Sequence, residues 1–210
     1  MRLPELEKQC DDFLKSLPAT DSAHDLAHIR RVVANAKRIV ANEDADVITV
    51  IAASWLHDCV TLPKNHPERA MASKLAARKA VDFLKTLDFP ADKLTAVGHA
   101  IEAHSFSAGI QPETTEAKIV QDADRLDALG AIGIARCFAV GGIIDRPLYN
   151  PEDPFCEKRL PDDRKWTIDH FYTKLFNLAE SMNTEAAKKE AHDRTNYMRA
   201  FINQLQQEIS

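Results

Sequence analysis

The ten residues Val47–Leu56, VITVIAASWL, constrain this chain more than any other stretch. Wound as a helix they are apolar almost all round, and a helix without a polar face belongs in the interior. Their β-branched content would also suit a buried strand. No partner strands follow, so the run is read as the central helix of an all-α fold. It is too short for a bilayer, which needs about 20 apolar residues. The run ends on His57 and Asp58. Ionisable groups at the end of a buried helix must be paired or metal-bound, because burying them bare is costly.

Helical periodicity dominates the rest of the 210 residues. A first helix is predicted over about 5–17, stopping before Pro18. The polar turn Thr20-Asp21-Ser22 offers caps for a second, through His28 to about residue 41. Its apolar positions Ile29, Val32, Val33, Ala36 and Val40 keep one face. The apolar run is predicted to stay helical through Asp58. Further helices are predicted over about 68–87, 90–104, 116–130, 131–140, 166–182 and 184–209. Gly141 to Lys165 contains Gly-Gly, four prolines and several acids. Such a long connection in a compact domain is often a lid or binding loop. With no repeat and no strand–helix alternation, the expected architecture is a single all-α domain over 1–210, its core at about 20–180.

The bulk properties exclude several functions. A net charge of −5 argues against a protein that grips nucleic acid through a basic face. A small anionic substrate remains open, because a bound cation reverses the local sign. The four cysteines, Cys10, Cys59, Cys137 and Cys156, form no C-x-x-C pair, which disfavours a zinc knuckle or a redox dithiol. The N-terminus has no apolar leader. These features predict a cytoplasmic protein with reduced thiols and no membrane partner.

The dipeptide His-Asp occurs three times, at 24–25, 57–58 and 192–193, so it carries no weight by itself. His57 and Asp58 stand out by following the apolar run. His24 and His28 are four apart and share a helix face. His24-Asp25-Leu26-Ala27-His28 is one methylene from the H-E-x-x-H zinc-protease signature, but Asp in place of Glu would pull the base back from the metal. Among Asp122, Asp124 and Asp127, Asp124 adjoins the stripe of Ile119, Ala123, Leu126 and Leu129.

Taken together, these segments resemble the HD-domain superfamily of metal-dependent phosphohydrolases, in its short bacterial form, over nearly the whole chain to about Leu178. The strings that carry the resemblance are His28-x-x-Arg31-Val32, the apolar run into His57-Asp58, Ala103-His104-Ser105-Phe106-Ser107, the segment from Ile119 to Gly130, and Asp169-His170-Phe171-x-x-Lys174-Leu175. The resemblance implies a helical bundle with a metal site at its centre, held by His28, His57, Asp58 and Asp124. Asp122 is the nearest rival to Asp124, which occupies the family's A-D-R/K-L position. Two imidazoles and two carboxylates suit Mn²⁺, Mg²⁺ or a similar ion.

The same resemblance gives His24 an outer or substrate-side place. His99 and His104, five positions apart, are candidates for a second metal, and His104 also for work on the substrate or leaving group, with Asp58 in a catalytic part. Lys64, Arg125, His170 and Lys174 are candidate phosphate holders, with Glu68 and Arg69 nearby in sequence. The implied activity is hydrolysis of a small phosphorylated substrate, a nucleotide first among the candidates, through a metal-activated water. Nucleoside triphosphate pyrophosphohydrolysis is one such activity. A non-catalytic nucleotide sensor and a di-iron oxygenase of the same superfamily are the alternatives.

Overall fold

The computed structural model describes residues 1–17, 26–62, 66, 68–105 and 108–209. Among these residues the regular secondary structure is all helical, as expected: α1 (Leu3–Ser16), α2 (Leu26–Val40), α3 (Val47–Leu56), α4 (Ala72–Lys85), α5 (Leu94–His104), α6 (Thr115–Leu126), α7 (Gly130–Ile143), α8 (Asp169–Thr173) and α9 (Glu185–Ile209). No single described helix is long and apolar enough to cross a membrane. Internal contacts divide the chain into two compact units, Met1–Asp124 and Arg125–Ser210.

In the first unit α3 is the hub, packing on α1, α2, α4 and α5. Every residue from Thr49 to Leu56 is buried. Val47, Thr49, Val50 and Ile51 are poor helix formers, so burial and the N-cap hold this helix, not propensity. Asp46 Oδ1 accepts the Thr49 N–H at 2.9 Å and the Thr49 hydroxyl at 2.7 Å. Asp46 also pairs with Lys93, and its own N–H donates to Glu116 Oε1 at 3.0 Å. One cap therefore ties the starts of α3, α5 and α6 together. On the outside, Phe13 of α1 stacks on Phe83 of α4 with centroids 4.0 Å apart.

In the second unit α7 packs on α9, and Phe138, Phe171 and Phe201 bring α7, α8 and α9 together at centroid distances of 5.9 to 6.2 Å. The segment between α7 and α8 is tied down within this unit. Thr167 and Ile168 donate their N–H groups to the Pro147 and Leu148 carbonyls at 2.9 Å each. Arg159 forks onto the fully buried Asp169, and Arg146 donates to the Asp163 carbonyl.

Three element boundaries differ from the sequence-based expectation. α3 ends at Leu56, leaving His57 and Asp58 in the turn that follows. The helix expected through Gly130 stops at Leu126. There Arg194 Nη1 takes the Leu126 carbonyl at 2.6 Å, and Gly130, at φ +69°, supplies the left-handed residue that opens α7. The single helix expected over 166–182 is instead α8 followed by two 3-10 turns, Leu175–Asn177 and Ala179–Ser181. Lys174 leaves helical geometry at φ −135°. Asn177 then bonds the Tyr172 carbonyl at 3.2 Å, a group that a continuous helix would have paired, and Arg125 takes the Ser181 carbonyl at 2.5 Å at the end of the segment.

Candidate metal centre

The ends of three helices in the first unit bring the expected ligands together. His57 and Asp58 follow the last residue of α3, His104 is the last residue of α5, and Asp124 lies in the last turn of α6. His28 is contributed by the first turn of α2. Helix C-termini carry partial negative charge, so three of them add to the two carboxylates in favouring a cation. His28 and His57 are buried at 1% and 0% exposure.

His28 Nε2 stands 3.7 Å from Asp58 Oδ2 and 3.5 Å from Asp124 Oδ1. His57 Nε2 stands 3.6 Å and 4.0 Å from the same two oxygens. His104 Nε2 lies 3.5 Å from the other oxygen of Asp58. Ligand atoms of His28, His57 and Asp58 all fall within 4.8 Å of one another. Donors bound at about 2.1 Å to one small ion stand about 3 to 3.5 Å apart, so the cluster needs only slight contraction to hold one.

The histidine tautomers are set from behind. His57 Nδ1 is 2.8 Å from the Ser54 carbonyl and His104 Nδ1 is 2.6 Å from the Ile101 carbonyl, each three residues back on its own helix. Only an N–H can face a carbonyl, so Nδ1 carries the proton and neutral His57 turns its Nε2 lone pair into the cluster. That Nε2 is buried and makes no hydrogen bond. An unpaired buried nitrogen is costly, and a divalent cation is a group that would satisfy it. The residues present therefore fit a metal ion.

Burial pushes the His57 imidazole below its ordinary range, with the charges of Asp58 and Asp124 opposing but not cancelling the effect. Burial alone would lower His104 too, yet its contact with Asp58 outweighs this and holds it above that range. Neighbouring imidazoles are thus driven in opposite directions. The lowered value favours the neutral form that a metal ligand needs, and the raised one favours the protonated form.

The other expected site residues are placed as follows. Asp122 is fully buried in α6. His99 Nε2 accepts the Glu113 N–H at 3.0 Å, so a second ion there would first have to break that bond. His24 and Lys64 lie outside the described residues. Arg69 donates to the Leu62 carbonyl at 3.0 Å. Arg125, His170 and Lys174 belong to the second unit. Arg125 is anchored to Ser181. His170 Nδ1 sits 2.7 Å from Asp163 Oδ2, and the Thr173 hydroxyl donates to the same oxygen at 2.9 Å. Burial lowers His170, against the pull of Asp163.

A cluster of histidines and aspartates at converging helix ends marks an all-helical protein with a candidate metal centre, and comparison with known proteins gives the family. The HD domain family matches residues 25–129, and the chain belongs to it. Bacillus subtilis (strain 168) YpgQ is 33% identical over 192 residues, covering 90% of this chain and 85% of that protein. The crystal structure of an HD-superfamily hydrolase from Bacillus thuringiensis is similar at a TM-score of 0.76 and 37% identity, over 98% of this chain and 97% of that one. Bacillus subtilis YpgQ crystallised in complex with ADP is similar at a TM-score of 0.72 and 31% identity, over 97% and 96%. The fold is that of the HD-superfamily hydrolases.

Proposed function

We propose that the chain is a metal-dependent phosphohydrolase acting on a small phosphorylated substrate, most simply a nucleotide. The observation that carries this reading is the ring of His28, His57, Asp58 and Asp124, with the buried His57 Nε2 aimed into it and unsatisfied. These four residues would hold a Mn²⁺, Mg²⁺ or similar ion. When bound, the ion supplies Lewis acidity and makes water acidic enough to attack phosphorus near neutral pH. The chain's own part is to exclude bulk water through the buried imidazoles, to keep His57 neutral, and to hold a proton on His104 Nε2 beside Asp58 for the leaving group. The ADP bound to YpgQ supports a nucleotide ligand, and nucleoside triphosphate pyrophosphohydrolysis is the particular activity we favour. The candidate phosphate contacts are Lys64, by its place six residues after Asp58, and Arg125, His170 and Lys174, by the sequence resemblance. Alanine at each should raise KM and leave Mn²⁺ affinity unchanged.

The test is a hydrolysis screen with Mn²⁺, Mg²⁺, Co²⁺, Ni²⁺ or no metal against nucleoside mono- and triphosphates and cyclic nucleotides, resolving each product. Metal-dependent pyrophosphate release establishes the pyrophosphohydrolase, and orthophosphate from monophosphates establishes a nucleotidase. Tight nucleotide binding with no turnover in any metal would replace the enzyme by a sensor.

A further inference from the structure

We propose that Asn35 and Gln121 are positioning residues for the metal centre, two buried amides that each fix the backbone one residue before a site side chain. The inference rests on the metal reading above. Asn35 lies seven residues after His28, two turns along the same face of α2, and is 2% exposed. Its Nδ2 donates to the Ala123 carbonyl at 3.0 Å, immediately before Asp124. Its Oδ1 accepts from Arg38 at 2.6 Å, which settles which end of the amide faces α6. Gln121 lies three residues before Asp124 and is 4% exposed. Its Nε2 donates to the Ala103 carbonyl at 2.7 Å, immediately before His104.

The two bonds join α2 to α6 and α6 to α5. They link the elements carrying His28, Asp124 and His104 through directional contacts. Ala103 lies in the last turn of α5, where carbonyls have no partner within the helix. Its neighbour Ile101 already serves His104 Nδ1. The end of α5 is thus held on both sides, one bond orienting the His104 ring and the other placing its backbone. Apolar packing fills the same space but lets helices slide. A buried amide bond sets distance and direction together. A metal centre tolerates shifts of only a few tenths of an ångström, so the amides serve geometry more than stability.

The test compares Asn35→Leu and Gln121→Met, which keep shape and remove the donor, with Leu84→Ala. Leu84 is fully buried in α4 and takes part in neither bond. Mn²⁺ affinity is measured by calorimetry, the spectrum of the bound ion by electron paramagnetic resonance, and the metal-free Tm by circular dichroism. The expected result is roughly 10- to 100-fold weaker Mn²⁺ binding in both amide variants, with an altered Mn²⁺ spectrum. Leu84→Ala should lose more Tm and bind as wild type. Should Asn35→Leu fail to fold, Gln121→Met decides alone. Wild-type affinity in Gln121→Met, or equal weakening in Leu84→Ala, overturns the positioning role alone. A wild-type chain that binds no Mn²⁺, unaltered by His57→Ala, overturns the metal reading and this inference with it.

Discussion

Asp58 in the first unit, partly buried, and Asp169 in the second, fully buried, are carboxylates that the chain treats in opposite ways. Asp169 is fully buried. Arg159 reaches it with both terminal nitrogens, Nη2 at 2.8 Å, and the Asp162 N–H adds a third bond at 2.6 Å. Its charge is neutralised within the chain, the usual requirement for a buried carboxylate. Asp127 follows the same rule through Arg136 at 2.7 Å. Asp58 instead faces imidazole nitrogens of His28, His57 and His104 at 3.5 to 3.7 Å. Of these imidazoles, His57 is pushed toward its neutral, lone-pair-bearing form by burial, while His104 is held above its ordinary range by Asp58 itself. The first arrangement pairs a carboxylate with a guanidinium, whereas the second gathers a carboxylate and imidazoles into a group that could hold a metal ion.

The comparison breaks most sharply at Asp58. Asp58→Ala should abolish Mn²⁺ binding and turnover while the metal-free protein keeps its helical circular dichroism. Its metal-free Tm, measured alongside, separates loss of the ion from loss of the fold. Full activity in that variant would sink the metal centre. Asp169→Ala should do the reverse. It strands Arg159 and should cost about 3 kcal/mol, measured by urea unfolding, with Mn²⁺ affinity unchanged. The double change Arg159→Met and Asp169→Leu should recover most of that loss, since a matched apolar pair replaces a buried ion pair at little cost. If Asp169→Ala also weakened Mn²⁺ binding, the two carboxylates would not be separable as described.

The contrast explains what was legible in the sequence. His57 and Asp58 were readable because they end an apolar run that has to be buried, and Asp124 because it adjoins an apolar stripe in a distinctive string. Asn35 and Gln121 were missed, as neutral amides within helices break no periodicity. A signal was nonetheless present, since Asn35 sits on the stripe of Val32 and Ile39, where a polar group needs a partner. The helix expected over 166–182 failed for a related reason. Its apolar spacing is helical, but the chain leaves helical geometry at Lys174 and its far end is held by Arg125, distant in sequence, which no local pattern encodes. The segment before α8 is predicted by its composition to be a lid or binding loop. It is pinned by Arg159 and Arg146, whose partners lie several residues away.

The smallest effect is expected at Asp46, which caps α3 at the opposite end from His57 and Asp58. Burial would raise its carboxyl, but the bonds from Lys93 and Thr49 outweigh this and hold it below the usual 3.8. A depressed carboxylate contributes stability that is fully present above its unfolded value and is lost as pH falls through the folded value. Asp46→Ala should therefore cost about 1 kcal/mol near neutrality, or roughly 2 to 4 °C in Tm for a chain of this length. The gap between wild type and variant should be constant from about pH 5 to 8 and should close only in acid, below about pH 3.8. A Tm series across pH checks both statements. Mn²⁺ affinity in the same variant sharpens the larger contrast. Asp46 braces the start of the helix and touches no ligand, so affinity should match wild type. A loss as large as that expected for Gln121→Met would mean that rigidity anywhere in the first unit, and not the two amides in particular, sets the spacing of the ligands.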